Sequence, residues 1–196
     1  MLDGKKNKSF YRKEVRSEEE LLDCKRDDLV IYDGLNEKST ISNDTDIIII
    51  GTRIPYSLDY FYLKSRNMYR WIDASRNTNL DILRKNTKSI NEIIRILKHE
   101  RIAFSDICKK ILVSNNSSSD DAIVAFISDK KLLNYLSKHK NIEIIANSRS
   151  VETYFKRKMP SLNVKYYHYF RGGRGHHISD DEEKWIELFN KFKKRI

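Results

Sequence analysis

The sequence predicts an α/β fold, a three-layer α/β/α arrangement around a central, mostly parallel four-stranded sheet. Four short apolar runs have strand length and β-rich composition: DIIII at 46–50, IAFSDI at 102–107, IEIIA at 142–146 and VKYYHYF at 164–170. Segments with helical spacing of apolar residues separate them, the alternation that builds a parallel sheet with helices on both faces. The first run is β-branched and nearly continuous in its hydrophobicity, which marks a strand buried on both sides.

Taken in chain order, residues 1–16 read as a basic arm (Lys5, Lys6, Lys8, Arg12, Lys13, Arg16) and residues 17–196 as a single domain. Ser17 with Glu20 forms a capping box ahead of the short helical segment LLDCKR. LVIY at 29–32 is a short apolar run before the polar loop GLNEKSTISNDT, and DIIII then ends at Gly51. Met68, Trp71 and Ile72 stand at i, i+3 and i+4, which predicts a helix through Asn67–Ala74. Ser89 and Glu92 make a second capping box, opening IIRILKHER with Ile93, Ile94 and Leu97 on one face. NNSSSDD at 115–121 is a loop, and AIVAFIS at 122–128 fits strand or helix equally. Ser128 is placed to cap DKKLLNYLSKHK, and a helix over Ser150–Lys158 stops before Pro160. Ser179 and Glu182 form a third box, ahead of an amphipathic helix carrying Trp185, Ile186, Leu188, Phe189 and Phe192.

Charge narrows the function. Among 196 residues, 38 Lys and Arg face 28 Asp and Glu, a formal charge of +10, which favours an anionic partner and nucleic acid first among them. No apolar run approaches the roughly 20 residues a bilayer span needs, and the N-terminus lacks the apolar stretch of a signal peptide. The expected setting is the cytoplasm, without membrane association, and the expected state is a monomer. Cys24 and Cys108 are far apart with no CxxC and no Cys/His pairing, so neither a zinc site nor a disulfide scaffold is suggested, and no metal or cofactor is expected. The acidic pairs Asp120-Asp121 and Asp180-Asp181 sit at expected helix starts, where the dipole accounts for them, which argues against a metal-dependent nuclease.

Parallel sheets bind ligands beyond the carboxyl ends of their strands, and the residues there carry chemistry. Beyond the first strand, Gly51 allows close approach of a ligand and Pro55 stiffens the turn. Tyr56, Tyr60, Phe61 and Tyr62 offer stacking surfaces among Arg53, Lys64, Arg66 and Arg70. Three of the six glycines fall in RGGRGHH at 171–177, where Arg171, Gly172, Gly173, Arg174, His176 and His177 suit close contact with a phosphate backbone.

IIIIGTRIP followed by YFYLKSRNMYRW resembles the first motif of the uracil-DNA glycosylase superfamily, closest to its hypoxanthine- and mismatch-specific branches. There a strand ends in a Gly-Thr-x-Pro-like turn and a Tyr-Tyr…Arg-Asn helix start follows. IAFSDICKKILVSNNSSSDD is similar to the superfamily's second strand with its base-reading polar residue. IEIIANSRSVETYF is similar to the segment that usually reads Asn-Gly-Lys. YHYFRGGRGHHIS takes the place of the His-Pro-Ser-Pro loop. The likeness spans about residues 44–190 as a chain of weak motifs in order.

The resemblance implies a monofunctional DNA glycosylase, an enzyme of base excision repair that flips a deaminated, mismatched or modified base from DNA and hydrolyses its N-glycosidic bond. It implies that Asn67 of the Arg66-Asn67 pair and His168 at the end of the last strand are catalytic. Asn67 would hold the water or the base, and His168 would donate to the departing base, with His176 and His177 as the next candidates. Gly51, Thr52, Arg53, Pro55, Tyr62, Asp106 and Asn147 would bind the base. Ionised Asp106 would accept from N–H groups of the base edge, Tyr62 would stack on the ring, and Asn147 would support the site. Arg66, Arg171, Gly172, Gly173, Arg174, His176 and His177 would contact DNA. The pattern departs from the family twice. Arg53 and Ile54 stand where many branches carry a catalytic Asn or Asp, and Tyr169-Phe170-Arg171 replaces Pro-Ser-Pro. Two alternatives therefore stand beside the enzyme: a catalytically drifted DNA-binding module of the same fold, and an α/β enzyme acting on free nucleotides.

Overall fold

The computed structural model describes residues 13–33, 39–52, 60–61, 66–86, 89–114, 122–167 and 179–192. The four expected strands form one parallel sheet. β2 (Ile47–Gly51) lies between β3 (Ile102–Asp106) and β6 (Glu143–Ala146), and β7 (Val164–Tyr166) pairs with β6, giving the order β3-β2-β6-β7. Ile47, Ile48, Ile49 and Ile50 have no exposed surface, and each such burial contributes about 1.5–3 kcal/mol. Because side chains alternate along a strand, Ile47 and Ile49 enter one core and Ile48 and Ile50 the other.

Ile47 and Ile49 pack under α2 (Arg66–Arg76), α4 (Ile90–His99) and α7 (Ser179–Lys191), through Met68, Ile72, Ile93, Leu97 and Phe189. Trp71 of α2 stacks on Trp185 of α7 at 5.8 Å, and Tyr167 meets the same indole edge-on at 5.4 Å. A single turn, α3 (Leu80–Leu83), joins α2 to α4. Asp73 of α2 anchors it by accepting from the amides of Leu80 and Asp81 at 2.7 and 2.8 Å.

The opposite face holds α5 (Lys130–Lys138) and α6 (Arg149–Lys158), and with them a second sheet that the sequence does not announce. β4 (Cys108–Ser114) pairs antiparallel with β1 (Leu29–Asp33) on one side and β5 (Ile123–Ser128) on the other. One face of this sheet, through Ile111, Val113, Ile123 and Phe126, packs into the second core. The other face receives Leu21 of α1 (Glu18–Asp23). Thus AIVAFIS is a strand and LVIY the core of another. CKKILVS adds a third strand whose paired lysines hide its period.

Sheet edges and helix ends are closed locally. Ser39 Oγ and Thr40 Oγ1 donate to the carbonyls of Phe104 and Ile102 at 2.7 and 2.9 Å, covering the free edge of β3. Ser17 caps α1 as its motif predicts, accepting from the Glu20 amide at 3.2 Å. The second capping box fails, since Ser89 makes no side-chain bond at the start of α4. Asp129, not Ser128, caps α5, accepting from the amides of Lys131 and Leu132. Ser128 is still paired with Cys108 in the β4–β5 ladder. Ser148 caps α6, so this helix starts one residue earlier than its spacing predicts.

The last residues of the expected arm lie against β5. Glu14 bridges to Phe126, the Val15 amide donates to the Phe126 carbonyl at 2.8 Å, and the Glu14 carboxylate takes Tyr154 Oη at 2.9 Å and Lys158 Nζ at 2.8 Å.

Candidate active site

The carboxyl ends of β2, β3 and β6 meet at one point. Parallel register sets Gly51 opposite Asp106 and Ile50 opposite Ala146, which leaves Asn147 beside Gly51. The backbone ladder continues past the strands: the Ile107 amide donates to the Gly51 carbonyl at 2.8 Å, and the Asn147 amide to that of Ile50 at 3.0 Å. These bonds hold the three peptides rigidly, so the side chains at positions 106 and 147 have fixed origins.

A methyl group at position 51 would stand 2.8 Å from Asp106 Oδ1, 3.1 Å from Asn147 Nδ2 and 3.6 Å from Asn147 Oδ1. Any side chain here would force the Asp106 carboxylate, and to a lesser extent the Asn147 carboxamide, to shift. Asp106 is 2% exposed; Ser105, just before it in sequence, and Thr52, just after Gly51, are buried too. A carboxylate so deep in a protein costs stability unless it is hydrogen-bonded, and such costs concentrate where chemistry needs them. Together Asp106 and Asn147 present carboxyl oxygens, one amide donor and one amide acceptor, a set able to read the polar edge of a planar ring.

Asn67 is the second residue of α2 and half-buried, so it lies inside the helix and not at its cap. Arg66 opens that helix. Tyr60 and Phe61 do not offer stacking surfaces: they are 0% and 3% exposed and belong to the core beside Phe104. The Phe61 carbonyl accepts from Tyr69 Oη at 2.6 Å, and burial pushes the Tyr60 phenol well above its ordinary pKa. An amphipathic ring gains more by filling the gap between β3 and α2 than by standing in water. Arg53, Pro55, Tyr62, His168, Arg171, Gly172, Gly173, Arg174, His176 and His177 lie outside the described residues.

Sequence reasoning passed over Ser148 and Arg149, although both follow directly from the Asn147 that it singled out. Ser148 fixes the start of α6, and Arg149 lies over the Tyr166 ring at 5.7 Å from its centre. Among the described residues no group of three or more His, Cys, Asp or Glu is placed to hold a metal ion. No described helix is long and apolar enough to cross a membrane.

A parallel four-stranded sheet between helical layers, with polar residues gathered at the carboxyl ends of its strands, has a counterpart among solved structures. The solution NMR structure of a candidate uracil DNA glycosylase from Methanosarcina acetivorans superposes with a TM-score of 0.61, at 20% identity. The match covers 83% of this chain and 99% of that one. The chain has a uracil-DNA glycosylase-like fold. No protein-family model and no curated protein sequence matches it. Since nearly the whole of the Methanosarcina chain is matched, the glycosylase-like fold here includes the sheet and both helical layers, not a shared βαβ fragment. In this fold the Gly51–Asp106–Asn147 cluster lies at the carboxyl ends of the strands, the side on which parallel α/β sheets bind ligands.

Proposed function

We propose that the protein is a monofunctional DNA glycosylase that hydrolyses the N-glycosidic bond of a deaminated, mismatched or modified base. The observation that carries this reading is the convergence of Asp106 and Asn147 on Gly51 at the carboxyl edge of a glycosylase-like sheet. A base in a duplex exposes neither its polar edge nor its glycosidic bond, so the nucleotide must be flipped out, at a cost of a few kcal/mol of unstacking. In the proposed site Asp106 accepts from an N–H of the flipped base, Asn147 supports the same edge, and Gly51 and Thr52 give the ring room to approach. Pro55 stiffens the turn, and Tyr62 stacks on the ring. Water held by Asn67 attacks C1′ as the C1′–N bond breaks, the base leaves with the bonding pair as an anion stabilised by a donor, assigned to His168, and the proton that the water gives up ends on the departed base. Arg53 binds the base together with Asp106, Asn147 and Tyr62, and the DNA backbone is held by Arg66 and the Arg171–His177 segment, aided by the +10 charge and the basic arm. The protein would act as a cytoplasmic monomer without a metal or cofactor.

The departure at Arg53 and at Tyr169-Phe170 favours a second reading, a DNA-binding module of this fold without excision. One assay separates the two. Oligonucleotides carrying uracil, hypoxanthine, xanthine, mismatched thymine or a modified pyrimidine are incubated with the protein and cleaved with alkali at abasic sites. Strand cleavage at one of these bases supports the enzyme. Tight DNA binding with no base released supports the binding module.

A further inference from the structure

Glu14 and Asp3 are the two acids in the first sixteen residues, a stretch with six Lys and Arg. The Glu14 carboxylate is a meeting point of two elements. From α6 it takes Tyr154 Oη at 2.9 Å and Lys158 Nζ at 2.8 Å, and from β5 it accepts from the Ser128 hydroxyl. The main chain adds another tie to β5, from the Val15 amide to the Phe126 carbonyl. Tyr154 and Ser128 are 1% and 6% exposed, so water competes poorly for their bonds to the carboxylate.

Both elements lead to the Gly51–Asp106–Asn147 cluster. Tyr154 lies within two turns of Ser148, which caps α6, and Asn147 is the residue before that cap. Ser128 is paired with Cys108, whose amide donates to the Thr52 carbonyl at 3.3 Å. The next amide, that of Asp129, donates at 2.8 Å to the carbonyl of Ile107, the neighbour of Asp106. On the other side, β2 takes the Ile107 amide at Gly51 and the Asn147 amide at Ile50. Glu14 therefore closes a ring of bonds that runs from β2 through β6 and α6 to β5, and back through Ile107 to β2. Without its carboxylate, α6 and β5 meet through apolar contact such as Tyr154 on Phe126, which resists separation but has no preferred direction. Lys158 gives no separate reason for an acid at position 14, because the dipole already favours a cation in the last turn of α6.

We propose that Glu14 is a positioning residue for base reading: by tying α6 to β5 it fixes the Asn147 carboxamide relative to the Asp106 carboxyl group. A base bonded to both groups needs them at one spacing, and an error of about 1 Å in such a group costs up to about a hundredfold in rate. The proposal rests on the DNA-glycosylase reading for its reaction. It adds that a residue of the N-terminal stretch, touching neither base nor DNA, helps to set the rate.

The test compares wild type, Glu14→Gln, Tyr154→Phe, Asn147→Ala and the double variant Glu14→Gln/Asn147→Ala, all well below their melting midpoints. Thr78→Ala, which removes a bond to Asp73 in the other helical layer, serves as a control for lost stability. The first readout is the NMR signal of the Asn147 side-chain amide, assigned by its loss in Asn147→Ala. It should move in Glu14→Gln and in Tyr154→Phe and stay in place in Thr78→Ala. The second readout is single-turnover excision from the oligonucleotide that wild type cleaves. Glu14→Gln should be slower by about tenfold, Tyr154→Phe by less, and Thr78→Ala should match wild type. In the Asn147→Ala background, Glu14→Gln should cost less than about twofold, because the group that it positions is already gone. Affinity for a duplex with a tetrahydrofuran abasic analogue, which offers no base to read, should be the same in Glu14→Gln as in wild type.

An Asn147 amide signal unmoved in both Glu14→Gln and Tyr154→Phe overturns the proposal. So does a full loss of rate from Glu14→Gln in the Asn147→Ala background, or an equal loss in Thr78→Ala, either of which assigns the effect to general stability. Failure of the enzyme reading is a separate result: no base is released from any oligonucleotide by wild type, while the Asn147 signal still follows Glu14.

Discussion

Replacing Gly51 with alanine adds one methyl group where three strands meet. The backbone at this position is outside the left-handed region, so alanine can adopt it, and the penalty comes from contact alone. The new carbon would stand 2.8 Å from Asp106 Oδ1, against an ordinary limit of 3.4 Å, so the carboxylate must withdraw by about 0.6 Å (3.4 − 2.8) or the strands must part. Asp106 is 2% exposed and both flanking peptides are bonded into the ladder, so neither yields freely. Overpacking of this kind costs about 1–3 kcal/mol, and the stiffer unfolded chain of alanine offsets about 0.4–1 kcal/mol. A net loss near 1.5 kcal/mol lowers the midpoint of a chain this size by about 3–6 °C. Excision should suffer more, because a shift approaching 1 Å in a positioned group costs up to about a hundredfold. Single-turnover excision and thermal melts on the same preparations measure both. A lowered melting temperature with a rate within twofold of wild type would show that Asp106 and Asn147 crowd Gly51 for structural reasons only, and would refute the site assignment.

Asn67→Ala and His168→Ala should each lower single-turnover excision by roughly a hundredfold or more, the scale of losing one preorganised donor, with little change in melting temperature. If His168→Ala stays within a few-fold and His176→Ala or His177→Ala collapses, the donor lies later in the same segment. Replacing Arg171 and Arg174 together with alanine should flatten the salt slope of DNA binding by about one to two units, and an unchanged slope removes that segment from the interface. Burial alone would raise the Glu14 carboxyl, but hydrogen bonds from Lys158, Ser128 and Tyr154 outweigh it and hold it below its ordinary 4.5. A folded-state value depressed in this way stabilises the protein above the unfolded-state value, and the stabilisation is lost as pH falls through the folded value. Glu14→Gln should therefore be less stable than wild type by about 1 kcal/mol at neutral pH, and the gap should close in acid below 4.5; a gap independent of pH would contradict the clamp on α6.

The four strands of the parallel sheet were legible because each is a short run of β-branched or aromatic residues, and IIII in particular has no polar face to leave in water. The long helices were legible for a related reason: Ile93 with Leu97, and Trp185 with Phe189, keep helical spacing whatever lies beneath them. Net charge and the clustering of glycine after the last strand likewise belong to the chain itself. The second sheet was not legible. β1 and β4 alternate only partly, Lys109 and Lys110 interrupt the period, and Ile111, Leu112 and Val113 are all buried because α1 covers one face and α6 with α5 the other. Nor could the sequence decide that Tyr60 and Phe61 turn inward, since an aromatic beside a charged turn fits a ligand or a core until its neighbours are in place. The same is true of the site. Gly51, Asp106 and Asn147 come from three segments far apart in the chain, and only the parallel register of β2 with β3 and β6 brings a carboxylate and a carboxamide to within contact of one glycine. Local sequence determines which residues must leave water; register and packing, set by the whole chain at once, decide which of them meet.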